Sequence, residues 1–314
     1  MFDFVGKRKY FFGFSTLILI ACIVGLILHQ GLNLDIQFAG GTILEFQMEN
    51  ANFDLNKARE VSENAIGKIT NTQSSYSLDT DNARVDLLVL SIASRLTDEE
   101  YEKVVAAIEE NFNVKEGTKP TPRVVDPVMG KEMTAKSILA VAIAAVLMII
   151  YVWIRFKIMG GLLAGVSAVI ALLHDVMVMF ALYAILDLPV NESFIAAVLT
   201  IVGYSINDTI VIFDRIRENS NLLRKESLAT IANMSIKQSL SRSINTALTT
   251  FLAVLVVYIF AVYYNIESIR YFMLPLLVGL ISGTYSTIFI ASPVWVILKE
   301  RQAKRQAASK PAKA

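Results

Sequence analysis

The chain of 314 residues is 54% hydrophobic and 18% charged, with a mean hydropathy of +0.53, more apolar than a water-soluble domain needs to cover its own surface. Lys and Arg total 29 against 28 Asp and Glu, a formal net charge of +1, so no overall field draws it toward nucleic acid. A single cysteine, Cys22, and two histidines, His29 and His174, exclude intrachain disulfides and cysteine metal clusters and leave little material for a zinc site or a Ser-His nucleophile.

In chain order, Lys7-Arg8-Lys9 precede a long apolar run from Tyr10 to Leu28. No A-x-A cleavage signature follows, and the run reads as an uncleaved membrane anchor. From Leu32 to Val128 the pattern turns alternating and amphipathic, as in a soluble α+β domain. Leu34 to Phe38 and Thr42 to Phe46 alternate like half-buried strands around Gly40-Gly41, and Asp54 is placed to cap a helix carrying Ala58, Val61 and Ile66. Val85 to Leu90 reads as a strand, and Thr97-Asp98-Glu99-Glu100 is a capping box opening a helix through Ile108. A last strand around Arg123 to Val125 completes a small sheet in a split βαβ order. The carboxylates of this domain, such as Glu99, Glu100, Glu109 and Glu110, read as a solvated helix face, so binding or lever action suits it better than catalysis.

Five further runs are long enough, at roughly 20 apolar residues, to cross a bilayer: Ser137 to Ile154, Ile158 to Leu186, Phe194 to Phe213, Ile244 to Tyr263 and Tyr271 to Leu298. Lys7 to Lys9, Arg155, Lys157, Arg215, Arg217, Arg224, Arg242 and Lys299 gather at one set of span ends, whereas the opposite short connections carry only Arg270. That bias places both termini in the cytoplasm and the α+β domain outside. The expected division is 1–30, the N-terminus and first span; 31–134, the extracytoplasmic domain; 135–298, spans two to six; and 299–314, a disordered cytoplasmic tail rich in Lys, Ala, Gln and Arg. Between spans, Asp214 to Ser243 reads as a connection with a short interfacial helix bearing Leu228, Ile231 and Leu240. Gly279 and Gly283 form a GxxxG segment suited to close helix packing.

Polar groups inside spans carry the functional signal, because an intramembrane charge costs about 2.5 to 3.5 kcal/mol on insertion scales. Asp208 lies about 9 Å deeper than Asp214 along the fourth span, with Ser205, Asn207 and Thr209 as hydrogen-bonding neighbours. Arg242, at the start of the fifth span, is placed to rise toward it. The cluster suits a proton or ion site; the plainer reading makes Asp208 a helix-helix hydrogen bonder and Arg242 a topology anchor. His174-Asp175 in the third span forms a second site, whose adjacent side chains point to different faces. Its distance of about 25 Å from Ile158 puts Asp175 at a different depth from Asp208, with direct contact doubtful.

Leu34-Asp35-Ile36-Gln37-Phe38-Ala39-Gly40-Gly41-Thr42, Ala171-Leu172-Leu173-His174-Asp175, the run from Gly203 through Thr209 to Asp214-Arg215-Ile216-Arg217-Glu218-Asn219, and Gly283 to Phe289 together resemble the SecF branch of the bacterial SecD/SecF protein-export family. Asp35 and Gln37 depart from that family's usual Gly-Ile-Asp-Phe-x-Gly-Gly-Thr. The resemblance implies an α-helical polytopic membrane protein with six spans in a bundle of the resistance-nodulation-division type, paired with SecD and working beside the SecYEG translocon on a translocating preprotein. It implies a proton-coupled, non-enzymatic role in the bacterial cytoplasmic membrane, surrounded by membrane lipid, with no cofactor, metal or nucleic acid. Asp208 would then be the protonatable carboxylate, Arg242 its modulator and Asp175 a relay residue, supported by Ser205, Asn207, Thr209 and His174. A small-molecule or lipid exporter half and a passive translocon scaffold are the alternatives.

Overall fold

The first apolar run forms α1 (Arg8–Leu28), followed in the computed structural model by an α+β domain and then by the remaining long helices. All residues are described except 1, 30, 51–52, 69, 79–83, 116, 158–159, 265 and 309–314.

The chain does not continue as a strand after Leu34. Asp35 accepts a hydrogen bond from the Gln37 backbone N–H at 3.3 Å and starts a single turn, α2 (Ile36–Ala39), that buries Ile36 and Phe38. A short acceptor side chain beside free backbone donors favours a turn over an extended edge. Gly40, at φ +77°, then reverses the chain, and a Cβ there would stand 2.6 Å from Pro127 Cα. Glycine is therefore required where the domain meets the first turn of the next long helix.

Strand β1 (Gly41–Met48) leads to α3 (Leu55–Ile66), capped by Asp54, then to β2 (Thr70–Leu78) and β3 (Arg84–Ile92). Helix α4 (Asp98–Asn111) opens on the reciprocal Thr97–Glu100 capping box, and β4 (Arg123–Val125) closes the domain. The sheet order is β2-β3-β1-β4 with every pairing antiparallel, so β3 lies between β1 and β2, the split βαβ arrangement. Leu44, Phe46, Leu88, Leu90 and Ile92 pack against Ala58, Val104 and Ile108 from the two helices, all fully buried. The polar composition of β2, Thr70-Asn71-Thr72-Gln73-Ser74-Ser75, hides it from a hydrophobic pattern search, because an edge strand has little apolar surface to bury.

The remaining helices are α5 (Pro127–Arg155), α6 (Gly161–Leu186), α7 (Glu192–Leu222), α8 (Leu228–Tyr263), α9 (Glu267–Ser286) and α10 (Ser292–Ala308), the last two joined by a π-helical segment, Thr287–Ala291. Among the described residues, six helices are long and apolar enough to cross a membrane, with α9 through α10 counting as one. The expected first residue of the third span, Ile158, lies outside the described residues. Helices α6 and α7 hold half of the bundle's buried core, including Tyr183, Phe194 and Phe213, with Trp295 from α10.

Two expectations are corrected here. No separate interfacial helix forms between Asp214 and Ser243: α7 and α8 run on as a helical hairpin, closed by Ser227, which caps α8. Asn219 Nδ2 donates to Ser235 Oγ and to Gln238 Oε1, both at 2.8 Å, and these bonds join the two helices beside the buried contacts of Ile216, Ile231 and Ile236. Residues expected to be a disordered tail from Lys299 instead continue α10 to Ala308. Ala, Gln, Lys and Arg are strong helix formers, and a packed helix already supplies the nucleus for propagation.

The α+β domain is tied to the bundle through the segment that enters it, Asn33 to Asp35. Asp35 N donates to Val190 O at 3.0 Å, Val190 N to Asn33 O at 2.8 Å, and Asn33 Nδ2 to Asp187 O at 3.1 Å. These bonds clamp the start of the domain to the α6–α7 connection.

Candidate functional site

Helix α6 is apolar on nearly every face except at His174-Asp175, and Asp175 is only 1% exposed. A carboxylate so placed must find donors within the protein. Its Oδ2 accepts from Ser205 Oγ of α7 at 2.7 Å and from Ser286 Oγ of α9 at 2.8 Å, and its Oδ1 accepts from Ser282 Oγ at 2.6 Å. His174 Nδ1 stands 3.4 Å from Oδ1, so the adjacent pair does meet despite the helical spacing. The tyrosine ring of Tyr285 lies 5.8 Å from the imidazole.

The cage needs α9 pressed against α7, and the GxxxG segment allows it. A Cβ at Gly279 would come 2.5 Å from Ile201 Cγ1, and one at Gly283 would come 3.2 Å from Ser205 Cβ. Below this contact Thr209 Oγ1 donates to Ser205 O at 3.1 Å and lies 2.9 Å from Thr287 Oγ1. Thr287 opens the π segment, whose irregular backbone receives a hydrogen bond from Ser292 Oγ to Thr287 O at 3.1 Å. One continuous polar seam thus joins α6, α7 and α9.

Asp208 occupies the next turn of α7. Its Oδ1 accepts from Ser243 Oγ of α8 at 2.6 Å, and its Oδ2 is buried without a hydrogen-bond partner among the described residues. Such an oxygen calls for a proton, a water or a donor from another surface. Arg242, next to Ser243 on α8, makes no ion pair within 4.0 Å of any described residue; it lines a polar cleft of about 640 Å3 with Asp214, Arg215 and Glu218. Asp214 is held by Arg155 at 2.7 Å and by Arg217 at 3.1 Å.

Ser205, Thr209, His174 and Asp175 therefore come together, while Asn207 is exposed on the other side of α7. The two carboxylates take different hydroxyl partners and make no hydrogen bond to each other among the described residues. Asp175 bonds Ser205, three residues before Asp208, an axial offset of about 4.5 Å. Ser243, Ser282, Ser286 and Thr287 were missed; the spacing of Ser282 and Ser286, four apart in an apolar helix, was the available signal.

Six long helices enclosing hydrogen-bonded carboxylates define a polytopic α-helical membrane protein. Residues 104–301 match the family described as Protein export membrane protein SecD/SecF, C-terminal. The chain is 36% identical over 315 residues to protein translocase subunit SecDF of Bacillus subtilis, covering 98% of this chain and 39% of that one. It is 35% identical over 308 residues to protein translocase subunit SecF of Alicyclobacillus acidocaldarius, covering 97% of this chain and 95% of the relative. The crystal structure of SecDF, a translocon-associated membrane protein from Thermus thermophilus, superposes with a TM-score of 0.74 at 31% identity over 96% of this chain and 39% of that one. The chain belongs to the SecD/SecF family. It spans about two fifths of the length of the two SecDF chains and nearly all of the SecF relative.

Proposed function

We propose that this chain is the SecF-type half of a proton-driven Sec export subunit, completed by a SecD half, that promotes movement of preproteins through the SecYEG translocon. The observation that carries this reading is Asp208, whose buried Oδ2 has no partner among the described residues. Around it the bundle shows a polar stripe: Thr200 and Asn207 on α7, and Arg242, Asn245, Thr246 and Thr249 on α8, are all exposed. Polar side chains at mid-span belong against protein or a wet cavity rather than lipid, and a second bundle of the resistance-nodulation-division type supplies that surface.

In this reading both termini are cytoplasmic and the α+β domain is extracytoplasmic. Asp208 takes up and releases the proton, Arg242 tunes it by charge, and Asp175 with its hydroxyl cage keeps α6, α7 and α9 in register. Proton passage down roughly 100 mV supplies about 2.3 kcal/mol per charge, enough to bias two bundle states by about fiftyfold. The work is conformational, with no bond chemistry and no cofactor. The clamp between Asn33-Asp35 and Val190 couples bundle motion to the outer domain.

The deciding experiment is Asp208→Asn in the assembled complex, checked for normal abundance and SecD binding. Proton-gradient-dependent export should fall to the level seen without the gradient. Wild-type export would refute the proton reading and leave the scaffold role; drug or lipid efflux lost without an export defect would favour the exporter half.

A further inference from the structure

Helix α8 has two unlike flanks. At about 100° per residue, Arg242, Asn245, Thr246 and Thr249 fall on one flank, while Lys237, Leu240, Ile244, Leu248 and Phe251 fall on the other. The second flank borders a groove of about 670 Å3, faced by α9 and the π segment from Leu280 to Phe289 and closed at one end by Phe2 and Phe4. Among the described residues, Thr284 and Tyr285 are the only polar side chains lining it.

The length of the groove limits what can occupy it. From Leu240 to Phe251 the wall rises about 16 Å along the helix, roughly half of a hydrocarbon core about 30 Å thick. A crossing helix from another subunit would need the whole thickness, whereas an acyl chain occupies one leaflet only. The end marked by Phe2 is cationic. Lys7 Nζ lies 4.6 Å from the centre of the Phe2 ring, and Lys237 stands on the groove flank of α8, one turn beyond Leu240. Both are brought to the same end because the N-terminal segment is bonded to α8 one turn from Lys237: Asn233 Nδ2 donates to Asp3 Oδ1 at 2.7 Å, and Val5 N donates to Asn233 Oδ1 at 3.1 Å. Asp3, beside this end, keeps its negative charge, which the bonds from Asn233 and from the Gly6 N–H at 2.7 Å stabilise, and Lys7, Arg8 and Lys237 outnumber it.

We infer that this groove is a binding site for one anionic phospholipid, its acyl chain lying along Leu240, Ile244, Leu248 and Phe251 and its phosphate held between Lys7 and Lys237. A lipid there would lock the N-terminal segment onto α8 on the flank opposite Asp208. The site does not depend on the proton reading.

The test uses the full chain purified with its SecD partner, stripped of lipid and titrated in native mass spectrometry with dioleoylphosphatidylglycerol or dioleoylphosphatidylcholine. The expected result is preferential retention of phosphatidylglycerol, reduced roughly 25-fold in the Lys7→Gln, Lys237→Gln double variant, given about a fivefold contribution per lysine near an anionic headgroup. Leu248→Trp, which fills the groove, should reduce retention of both lipids while the complex stays intact by mass. Equal retention of the two lipids by the unaltered protein, or unchanged preference in the lysine variant, would overturn the inference. So would a photocrosslinker at Leu248 that captures the partner polypeptide in native membranes rather than lipid.

Discussion

The Ser243 hydroxyl donates to Asp208 Oδ1 at 2.6 Å, so the carboxylate is positioned by the residue beside Arg242 rather than by Arg242 itself. A hydrogen bond to a charged group contributes about 1.5 to 3 kcal/mol. Ser243→Ala should therefore lower proton-gradient-driven export about tenfold and shift its pH profile, and Ser243→Thr should restore both. An unchanged profile in the alanine variant would show that Asp208 needs no such positioning.

Asp175 accepts from three serine hydroxyls on two helices. Asp175→Leu leaves the Ser205 and Ser282 hydroxyls buried without their acceptor, at about 1 to 3 kcal/mol for each orphaned group, while Ser286 Oγ keeps Gly283 O at 3.2 Å. The expected outcome is a large drop in thermal unfolding midpoint and in membrane abundance. The triple variant Ser205→Ala, Ser282→Ala, Ser286→Ala on the Asp175→Leu background should recover part of the loss, since the unmatched groups are then gone. No recovery would mean that the cost lies in packing alone.

Gly279 faces Ile201 so closely that a Cβ would meet Cγ1 at 2.5 Å. Gly279→Val should force α9 away from α7 and destabilise the protein by about 1 to 3 kcal/mol, and Ile201→Ala should rescue it by vacating the same space. Proteolysis of membrane-embedded protein reads both effects. Failure of the rescue would place the strain elsewhere.

Burial pushes the Asp35 carboxyl above its ordinary range, with Glu192 acting in the same direction and the backbone donors of Gln37 and Ile36 opposing. The folded protein thus holds this proton to higher pH than the unfolded chain. Its stabilising contribution is complete below the ordinary carboxylate range and is lost as pH rises through the raised folded value. The unfolding midpoint should fall over that window, and Asp35→Asn should flatten the fall. An identical slope in the variant would remove Asp35 as the cause.

Much of the architecture was legible because its signals are local. The six apolar runs, the Thr97–Glu100 capping box and the alternation of β1 depend on neighbours a few residues away. Strand β2 was not legible, since an edge strand of Ser, Thr, Asn and Gln is distinguished from a loop only by the partner it pairs with. Asp35 turned an apparent strand into α2 because one side-chain acceptor outweighed a short alternating pattern.

For the candidate site, residue type and position within an apolar run were enough to single out Asp208, Asp175, Ser205, Thr209 and His174, since an unpaired polar group in hydrocarbon is costly wherever the chain runs. Which of them meet was decided by tertiary structure alone. The register of α7 against α6 and α9, permitted by Gly279 and Gly283, carries Ser205, Ser282 and Ser286 onto Asp175 and sends Asn207 outward. The same packing gives Ser243, not Arg242, to Asp208, because helix rotation about its axis is set by all the contacts along its length and no single segment of sequence contains them.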